Sequence, residues 1–374
     1  MDASAAASDS DIPYEPRVVL LTGGAGFIGS HVARRLVERY PSTLRVVVLD
    51  KLDYCSSLEN LRAVADRPNF RFVRGDVQSM DLLCHLLDSE DVDTVLHFAA
   101  QTHVDSSFGN SLEFTRNNTL GTHVLLEACR LHGPRLRRFV NVSTDEVYGD
   151  TSVGVRDGLA ETAILEPTNP YSAAKAGAEM MCKAYVTSYR MPILVTRGNN
   201  VYGPGQFPEK LVPRFALLAL RGDPLPIHGE GLAVRSYLHV DDVAAAFDCV
   251  LHHGRVGETY NVGAAPGEER SVLRVAADVH AATRAARAAS AASATSTGDA
   301  ATSAAADIPP RVLHVADRTF NDRRYHIGSE KLNALGWTQT IGWEEGLRST
   351  VEWYASIDPE AWWDPLQVRA ALIL

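Results

Sequence analysis

The sequence predicts an α/β protein built on a doubly wound parallel β-sheet, with a smaller C-terminal lobe. Three observations predict this fold class. Short, almost continuously apolar runs alternate with helix-length segments in the N-terminal half, as expected for strands covered by helices on both faces. A glycine-rich turn follows the first run and opens the first helix. Beyond about Gly203 the alternation gives way to Pro-, Gly- and Arg-containing loops and shorter helices.

The apolar runs are predicted to be the strands of this sheet. They are RVVLLT (17–22), RVVVLD (45–50), FRFVRG (70–75), TVLHFA (94–99), RRFVNV (137–142) and PILVTR (192–197). Helices are predicted over 30–40, 112–131 and 173–189. Strands that alternate with helices in this way require right-handed crossovers.

The same patterns divide the chain into regions. Residues 1–15 are predicted to be a disordered tail, 16–203 a dinucleotide-binding domain completed by a strand and helix from further along the chain, and 204–356 mainly the lobe. Residues 357–374 are predicted to be a C-terminal tail. The Ala/Ser/Thr-rich stretch at about 284–306 is predicted to be a flexible insertion. Its first half can continue a helix, but its second half has too little apolar bulk to pack.

Composition narrows the possible partners. The 374 residues carry a net charge of −10, which argues against nucleic acid or an anionic membrane surface as a partner. The acidic start has no apolar core and therefore resembles neither a signal peptide nor an anchor. No apolar run approaches the length of a membrane span. The five cysteines are scattered without a CxxC pair, so we expect reduced thiols, a cytoplasmic protein and no metal site.

The glycine-rich turn TGGAGFIG (22–29) predicts a Rossmann-type dinucleotide site. Gly23, Gly26 and Gly29 allow a tight turn that brings backbone N–H groups against a pyrophosphate. Asp50 ends the second strand, where a carboxylate binds a ribose hydroxyl, and this favours NAD over NADP. Lys51 beside it weakens that preference slightly. A glycine-rich turn alone is weak evidence, but here strand, turn, helix and acid agree.

Two further motifs carry chemistry. Tyr171 and Lys175 are one helical turn apart in NPYSAAK, so both project from one face and the ammonium is expected to lower the phenol pKa. In VSTDEVYG, Asp145 and Glu146 follow a predicted buried strand. Placing two adjacent carboxylates there costs desolvation energy, which indicates that they have a function at this position. Each motif has an ordinary reading, a chance spacing for the first and a solvated strand end for the second. Their occurrence together with the glycine-rich turn favours an enzyme.

A resemblance to a known family joins these motifs. HFAAQTHVDSSFGNSLEFTRNN, VSTDEVYG, NPYSAAKAGAEM, TRGNNVYGPGQFPEK, PLPIHGEG, VRSYLHV and RTFNDRRY resemble the nucleotide-sugar 4,6-dehydratases of the extended short-chain dehydrogenase/reductase family. The sequence is most similar to the UDP-glucose 4,6-dehydratase domain of plant UDP-rhamnose synthases and is also similar to dTDP-glucose 4,6-dehydratases. The resemblance runs from about 18 to 354.

The resemblance implies an elimination of water driven by internal hydride transfer. Tyr171, supported by Lys175, would deprotonate the sugar 4-hydroxyl, to which Thr144 hydrogen-bonds, while NAD accepts the hydride of carbon 4. Glu146 would then remove the proton on carbon 5, and Asp145 would protonate the departing 6-hydroxyl. The hydride returns to carbon 6. For these roles Asp145 must hold a proton near neutral pH, which burial and its charged neighbour would favour.

The resemblance also implies binding residues. NAD would contact residues already named in the glycine-rich turn, after the second strand and on the tyrosine–lysine helix: Gly23, Gly26, Gly29, Asp50, Lys51, Tyr171 and Lys175. Further NAD contacts would be Phe27, Ile28, Leu52, Asp76, Val77, Phe98, Ala99, Ala100, Thr102 and Asn117. The substrate would contact Thr102, Thr144, Asn200, Lys210, Leu211, Pro226, Ile227, His228, Arg235, Asn261, Asp317 and Arg318, most of them in a C-terminal substrate-binding lobe. The three cations Lys210, Arg235 and Arg318 would bind the nucleotide half of the substrate. His103 is expected to be structural and His97 a core residue.

The expected function is the conversion of UDP-glucose to UDP-4-dehydro-6-deoxyglucose, the first step of UDP-rhamnose synthesis. DRTFN (317–321), Gln101 and Val201 follow the plant form and favour uridine, with dTDP-glucose as the alternative substrate. A 4-epimerase or decarboxylase would not need Asp145 and Glu146, and a non-catalytic NAD or nucleotide-sugar sensor would not need Tyr171. A homodimer is expected through the helix that bears Tyr171 and the preceding helix. Because the chain ends without an epimerase/reductase domain, a separate downstream enzyme is expected.

Overall fold

The computed structural model describes residues 13–151, 157–294, 310–317 and 320–373. Most of the predicted N-terminal tail, the second half of the Ala/Ser/Thr-rich stretch, Arg318 and Leu374 lie outside the described residues. The strands are β1 (Val18–Thr22), β2 (Arg45–Asp50), β3 (Phe70–Arg74), β4 (Thr94–His97), β5 (Arg138–Thr144), β6 (Ile193–Gly198), β7 (Asn200–Tyr202), β8 (Leu225–His228), β9 (Val234–His239), β10 (Thr259–Val262), β11 (Glu269–Ser271) and β12 (Val312–Val315).

Seven parallel strands form the central sheet in the order β10-β6-β5-β4-β1-β2-β3. This order confirms the predicted doubly wound fold, and all six predicted strands are present. The order reverses between β1 and β4, so the loops after these strands diverge and leave a crevice at their carboxyl ends. β5 continues two residues past its predicted end and carries Ser143 and Thr144 to the rim of that crevice.

The helices are α1 (Phe27–Arg39), α2 (Met80–Ser89), α3 (Val104–Gly109), α4 (Ser111–Phe114), α5 (Gly121–His132), α6 (Pro170–Tyr189), α7 (Leu211–Arg221), α8 (Val240–His253), α9 (Val272–Ala294), α10 (Glu330–Asn333), α11 (Trp343–Ser356), α12 (Pro359–Trp362) and α13 (Pro365–Leu372). α6 begins before its predicted start because Asn169 and Ser172 form a capping box and Pro170 occupies the first helical position. α9 extends to Ala294 and so includes the first half of the Ala/Ser/Thr-rich stretch, where the sequence left a continued helix open.

The predicted helix over 112–131 is interrupted. α4 and α5 are joined by a π-helical segment, Thr115–Leu120. A π-turn adds a residue to the helical repeat and is frequent at functional sites. Here it presents two neighbouring amides inward: Asn118 pairs with the backbone of Gln101, and Asn117 accepts a hydrogen bond from Lys51 at 2.9 Å.

A second core lies beyond the sheet and is formed by α7, α9, α11 and the C-terminal helices. Val368 and Leu372 are buried in it. Residues 359–372, which were predicted to be a tail, are therefore helical and packed. None of the helices within the described ranges is long and apolar enough to cross a membrane.

Gly23 provides a stability test of the glycine-rich turn. It has φ +71°, and a Cβ atom there would lie 2.6 Å from the backbone nitrogen of Ala99. We expect Gly23→Ala to lower the free energy of unfolding by about 1–3 kcal/mol, measured by urea denaturation, because both strain and overlap are introduced. Gly109→Ala is the control, since a Cβ atom at Gly109 would meet no atom of the described residues within 4 Å. This substitution should change the free energy of unfolding by less than about 1 kcal/mol. Equal stability of the two variants would contradict this view of the turn.

Candidate active site

A cavity of about 300 Å³ follows the carboxyl ends of the central strands. All five predicted catalytic residues line it, and so do all predicted NAD contacts except Leu52. Four of the predicted substrate contacts also line it: Thr102, Thr144, Asn200 and Lys210. The structure thus brings the glycine-rich turn, the carboxylate pair and the tyrosine–lysine pair onto one surface.

Asp50 links the two loops at the dinucleotide end of the cavity. Its carboxylate accepts the N–H of Ala25 at 3.0 Å and the N–H of Leu52 at 2.8 Å. The side chain is buried, and burial raises the pKa of Asp50 above its ordinary value while these hydrogen bonds oppose the shift. The Ser56 side chain also hydrogen-bonds to Asp50. A carboxylate can accept about four hydrogen bonds, so Asp50 can still accept a ribose hydroxyl.

Leu52 departs from the prediction, because its side chain does not reach the cavity. It packs against the core beneath the sheet, and its backbone has φ +60°, a left-handed conformation that is uncommon for leucine. Its backbone N–H is held by Asp50. Lys51 does line the cavity, with its ammonium held by Asn117 and, at 3.2 Å, by Asp53.

Asp145 is buried, Glu146 beside it is half-buried, and each carboxyl group has its own hydrogen-bond donor. Asp145 accepts the Asn199 amide at 2.6 Å and the Thr144 hydroxyl at 3.2 Å. Glu146 accepts the Asn169 amide at 3.1 Å. Burial, followed by the charge of Glu146, raises the pKa of Asp145 to about 7, and burial also raises the pKa of Glu146. A protonated Asp145, which its predicted role as an acid requires, is therefore available near neutral pH.

The effect of Lys175 on Tyr171 differs from the prediction. Burial, followed by the charge of Glu146, raises the pKa of Tyr171 well above its ordinary value, whereas a hydrogen bond with Thr144 lowers it. The Lys175 ammonium donates to the carbonyl of Val142, and burial lowers the pKa of Lys175 to about 8. The two side chains share a helix face, but in the protein alone the phenol stays protonated.

Sequence reasoning missed Asn169 and Asn199, the donors to the two carboxylates. Asn169 directly precedes α6, and an asparagine followed by proline at a helix start was a recognisable capping signal. Asn199 directly follows β6, where parallel strands deliver side chains to the shared edge. The Asn199 carbonyl also accepts the N–H of Ala264 at 2.9 Å, so this amide is fixed at both ends.

A buried ion pair fixes α6 against the sheet. Arg197 on β6 binds Glu179 on α6 through two guanidinium nitrogens, the shorter contact being 2.7 Å. The same guanidinium donates to the Tyr148 hydroxyl at 2.7 Å and lies 4.7 Å from its ring centre. Because Tyr148 ends the turn that begins at Asp145, this cluster connects the catalytic helix to the carboxylate pair.

The charges of two predicted substrate-binding cations, Lys210 and Arg235, both act on Glu146. The Lys210 ammonium donates to the Thr102 carbonyl at 2.6 Å and bridges the cavity rim. Arg235 does not line the cavity, but its charge lowers the pKa values of both Asp145 and Glu146, and its guanidinium lies 4.5 Å from the Tyr325 ring centre. Arg318 lies outside the described residues.

The remaining predicted substrate contacts are not brought to the cavity. Ile227 is fully buried in the second core, and Pro226 beside it is buried too. Asn261 is fully buried, accepts the Tyr148 hydroxyl at 2.8 Å and donates to the Leu159 carbonyl at 2.8 Å, so its amide serves packing. Leu211, His228 and Asp317 also lie off the cavity lining, the latter two beside the β8–β12 pair.

The two histidines near the site have the environments that were expected. His97 is buried between the hydroxyls of Thr22, at 2.7 Å, and Thr122, at 2.9 Å, and burial lowers the pKa of His97 to about 3. It is a neutral core residue. His103 precedes α3 and hydrogen-bonds to Ser106 within the same turn at 2.8 Å.

The raised pKa of Asp145 predicts a pH-dependent cost in stability. Between the ordinary carboxyl pKa and about 7, the folded state binds the proton more tightly than the unfolded state, so stability falls as pH rises through this window. Asp145→Asn removes the ionisation. We expect its free energy of unfolding, relative to the parent protein, to increase by about 1–3 kcal/mol from about pH 5 to about pH 8. Denaturant curves at both pH values measure this; a constant difference would contradict a buried, proton-binding Asp145.

Comparison with known proteins identifies the family. A model described as GDP-mannose 4,6 dehydratase matches residues 20–350. One relative is the Arabidopsis thaliana trifunctional UDP-glucose 4,6-dehydratase/UDP-4-keto-6-deoxy-D-glucose 3,5-epimerase/UDP-4-keto-L-rhamnose-reductase, which is 53% identical over 351 residues. The match covers 94% of this chain and 49% of that protein, so this chain spans about half the length of the relative. The dTDP-D-glucose 4,6-dehydratase of Dictyostelium discoideum is 44% identical over 90% of this chain and 81% of its own. The structure of a dTDP-glucose 4,6-dehydratase from Streptomyces venezuelae, solved with NAD, superposes with a TM-score of 0.81 at 37% identity over 93% of this chain and 99% of that one. The chain belongs to the GDP-mannose 4,6-dehydratase family of extended short-chain dehydrogenases/reductases.

Proposed function

We propose that the chain is an NAD-dependent hydro-lyase that converts UDP-glucose to UDP-4-dehydro-6-deoxyglucose and water. One observation carries this proposal: the adjacent carboxyl groups of Asp145 and Glu146 line the same cavity as Tyr171 and the glycine-rich turn. A redox enzyme that only oxidises and reduces a hydroxyl carbon has no use for an adjacent acid and base. An elimination needs both on neighbouring substrate atoms.

The dinucleotide half of the cavity fits NAD. Gly23, Gly26 and Gly29 line the cavity without a side chain, and α1 begins within this turn at Phe27, so the first backbone N–H groups of the helix can face a pyrophosphate. Asp50 stands where a ribose hydroxyl binds. NAD would supply a reversible hydride acceptor for the sugar and a positive charge. A positive charge beside Tyr171 opposes the rise in the phenol pKa that burial causes, and Lys175 on the same helix face completes the cationic surroundings that a phenolate needs.

The two carboxyl groups suit opposite roles. Asp145 holds a proton on a substantial share of molecules near neutral pH and can deliver it to the departing 6-hydroxyl. Glu146 is held by Asn169, a donor that favours its charged form, and can remove the proton on carbon 5. Thr144 sits between the carboxyl group of Asp145 and the Tyr171 hydroxyl and can orient the 4-hydroxyl of the sugar.

Glucose attached to UDP is the proposed substrate, with dTDP-glucose as the second candidate. The Arabidopsis relative is named for UDP-glucose and the Dictyostelium relative for dTDP-D-glucose, and this chain is more similar to the first. Gln101 and Val201, which follow the plant form, both line the cavity. The product carries a ketone at carbon 4, so an epimerase and reductase must act on it afterwards. A cytoplasmic location stays a prediction from the cysteine pattern.

Product mass tests the reaction. Incubation with UDP-glucose and NAD, without a reductant, should yield a nucleotide sugar lighter by one water. Glu146→Gln should slow this by about 10²–10⁴-fold, because proton removal from carbon 5 loses its base, while UDP-glucose still binds. Glu166→Gln is the control, since Glu166 is exposed and should behave as the parent.

The outcomes separate the candidates. Water loss from dTDP-glucose alone would keep the mechanism and change the substrate. Binding of both nucleotide sugars without water loss from either would support a sensor instead of an enzyme. An inverted 4-hydroxyl with unchanged mass would indicate an epimerase.

We also propose that two copies associate through α5 and α6. Apolar side chains remain exposed on these helices, among them Leu131 on α5 at 59% and Met180 on α6 at 48% exposure, and also on the segment that precedes α5, at Leu112 and Leu120. A second copy of the same face would cover them. Met180→Glu should shift sedimentation from dimer to monomer, whereas Leu232→Glu, at an exposed leucine on the other lobe, should not. A monomeric parent protein would contradict this proposal.

A further inference from the structure

The glycine-rich turn is held from outside the sheet by the C-terminal helices. The Ala25 carbonyl, in the middle of the turn, accepts the backbone N–H of Ser57 and the side-chain amide of Asn60, each at 3.0 Å. The Asn60 carbonyl in turn accepts the indole N–H of Trp362 at 2.9 Å. The Ser57 hydroxyl donates to the Trp362 carbonyl at 2.5 Å. Trp362 therefore holds both residues that hold Ala25.

These polar groups have little access to water. Asn60 is 5% and Ser57 8% exposed. Gly205, in a loop that also approaches the cavity, packs so closely that a Cβ atom there would lie 3.0 Å from the Asn60 carbonyl oxygen. Without the indole N–H of Trp362, the side-chain carbonyl oxygen of Asn60 would lose its hydrogen-bond donor. Rotation of the Asn60 amide toward another donor would compete with its hydrogen bond to the Ala25 carbonyl.

Trp362 is itself fixed in place. Its ring meets the Trp353 ring edge-to-face at 4.9 Å between centroids. Asp358 caps α12 by accepting the N–H of Glu360 at 3.0 Å, and Glu360 binds Arg369 on α13 at 2.9 Å. α13 is anchored by two buried apolar side chains, and Arg214 on α7 donates to the carbonyl of Ile373 at 2.6 Å. The indole is thus supported by the whole C-terminal segment.

We propose that Trp362 is a positioning residue for the dinucleotide-binding turn, and this rests on the proposed binding of NAD. Ala25 lies between Gly24 and Gly26, where the backbone has unusual freedom. Asp50 holds its N–H, and Asn60 with Ser57 holds its carbonyl. The peptide that joins Ala25 to Gly26 directly precedes α1, so holding it in place fixes the start of that helix. The first backbone N–H groups of α1, which face the pyrophosphate, are thereby held in one direction. The C-terminal helices thereby contribute to NAD affinity without touching NAD.

Trp362→Phe and Trp363→Phe form a matched pair for the test. Trp363 is the neighbouring and more deeply buried indole, and its N–H has no hydrogen-bond partner among the described residues. Calorimetry on protein stripped of nucleotide should show that Trp362→Phe weakens NAD binding about three- to tenfold while UDP binding changes by less than about twofold. Trp363→Phe should leave NAD binding within about twofold of the parent, even where thermal unfolding shows a larger loss of stability.

A double-mutant cycle identifies the route. In an Asn60→Ala background, Trp362→Phe should have no further effect on NAD affinity, because the indole N–H acts on Ala25 through the Asn60 side chain, whereas the backbone carbonyl that Ser57 binds is kept in the phenylalanine variant. Equal NAD affinity of Trp362→Phe and the parent, or a larger loss in Trp363→Phe, would overturn the inference and leave the proposed function intact. Failure of the parent protein to bind NAD would overturn the proposed function as well.

Discussion

The placement of two adjacent carboxyl groups at the end of β5, one buried and one half-buried, is the constraint on which the site depends. Removing Asp145 and Glu146 from water raises both pKa values, and the fold offsets only part of this with the amides of Asn199 and Asn169. Both amides sit at fixed positions, one directly after a strand and the other at a helix cap. The incomplete compensation leaves a proton within the pair near neutral pH, and this is the property that an acid–base elimination uses.

The Arg197–Glu179 ion pair fixes α6, the helix that carries Tyr171 and Lys175, against the central sheet. α6 carries Tyr171, Lys175 and Glu179 at intervals of one helical turn, so a single ion pair orients the whole catalytic face of the helix. A buried pair of this kind is costly to break from one side, since the remaining charge would lie unpaired in the interior. Its contact with Tyr148 ties the same cluster to the turn of the carboxylates.

The sequence was informative where the signal is local. Apolar runs located the first six strands, and a turn with spaced glycines located the dinucleotide end, because both depend on neighbouring residues. It was less informative where tertiary contacts decide. Nothing near Asn261 indicates that its amide faces Tyr148 and not the cavity, and nothing near Leu52 indicates a left-handed backbone turned away from it. Trp362 and Trp363 look alike in sequence, yet within the part of the chain that the structure describes only the Trp362 indole N–H meets an acceptor.

The place of β10 in the sheet has a consequence for how the chain reaches its fold. β10 pairs with β6 but follows it only after β7, β8, β9 and the intervening helices. While the chain is being synthesised, β6 is therefore an edge strand with unpaired backbone groups and apolar side chains until Thr259–Val262 has emerged. A nascent chain in this interval is exposed to strand-to-strand aggregation, and the rate at which β10 docks sets how long the risk lasts.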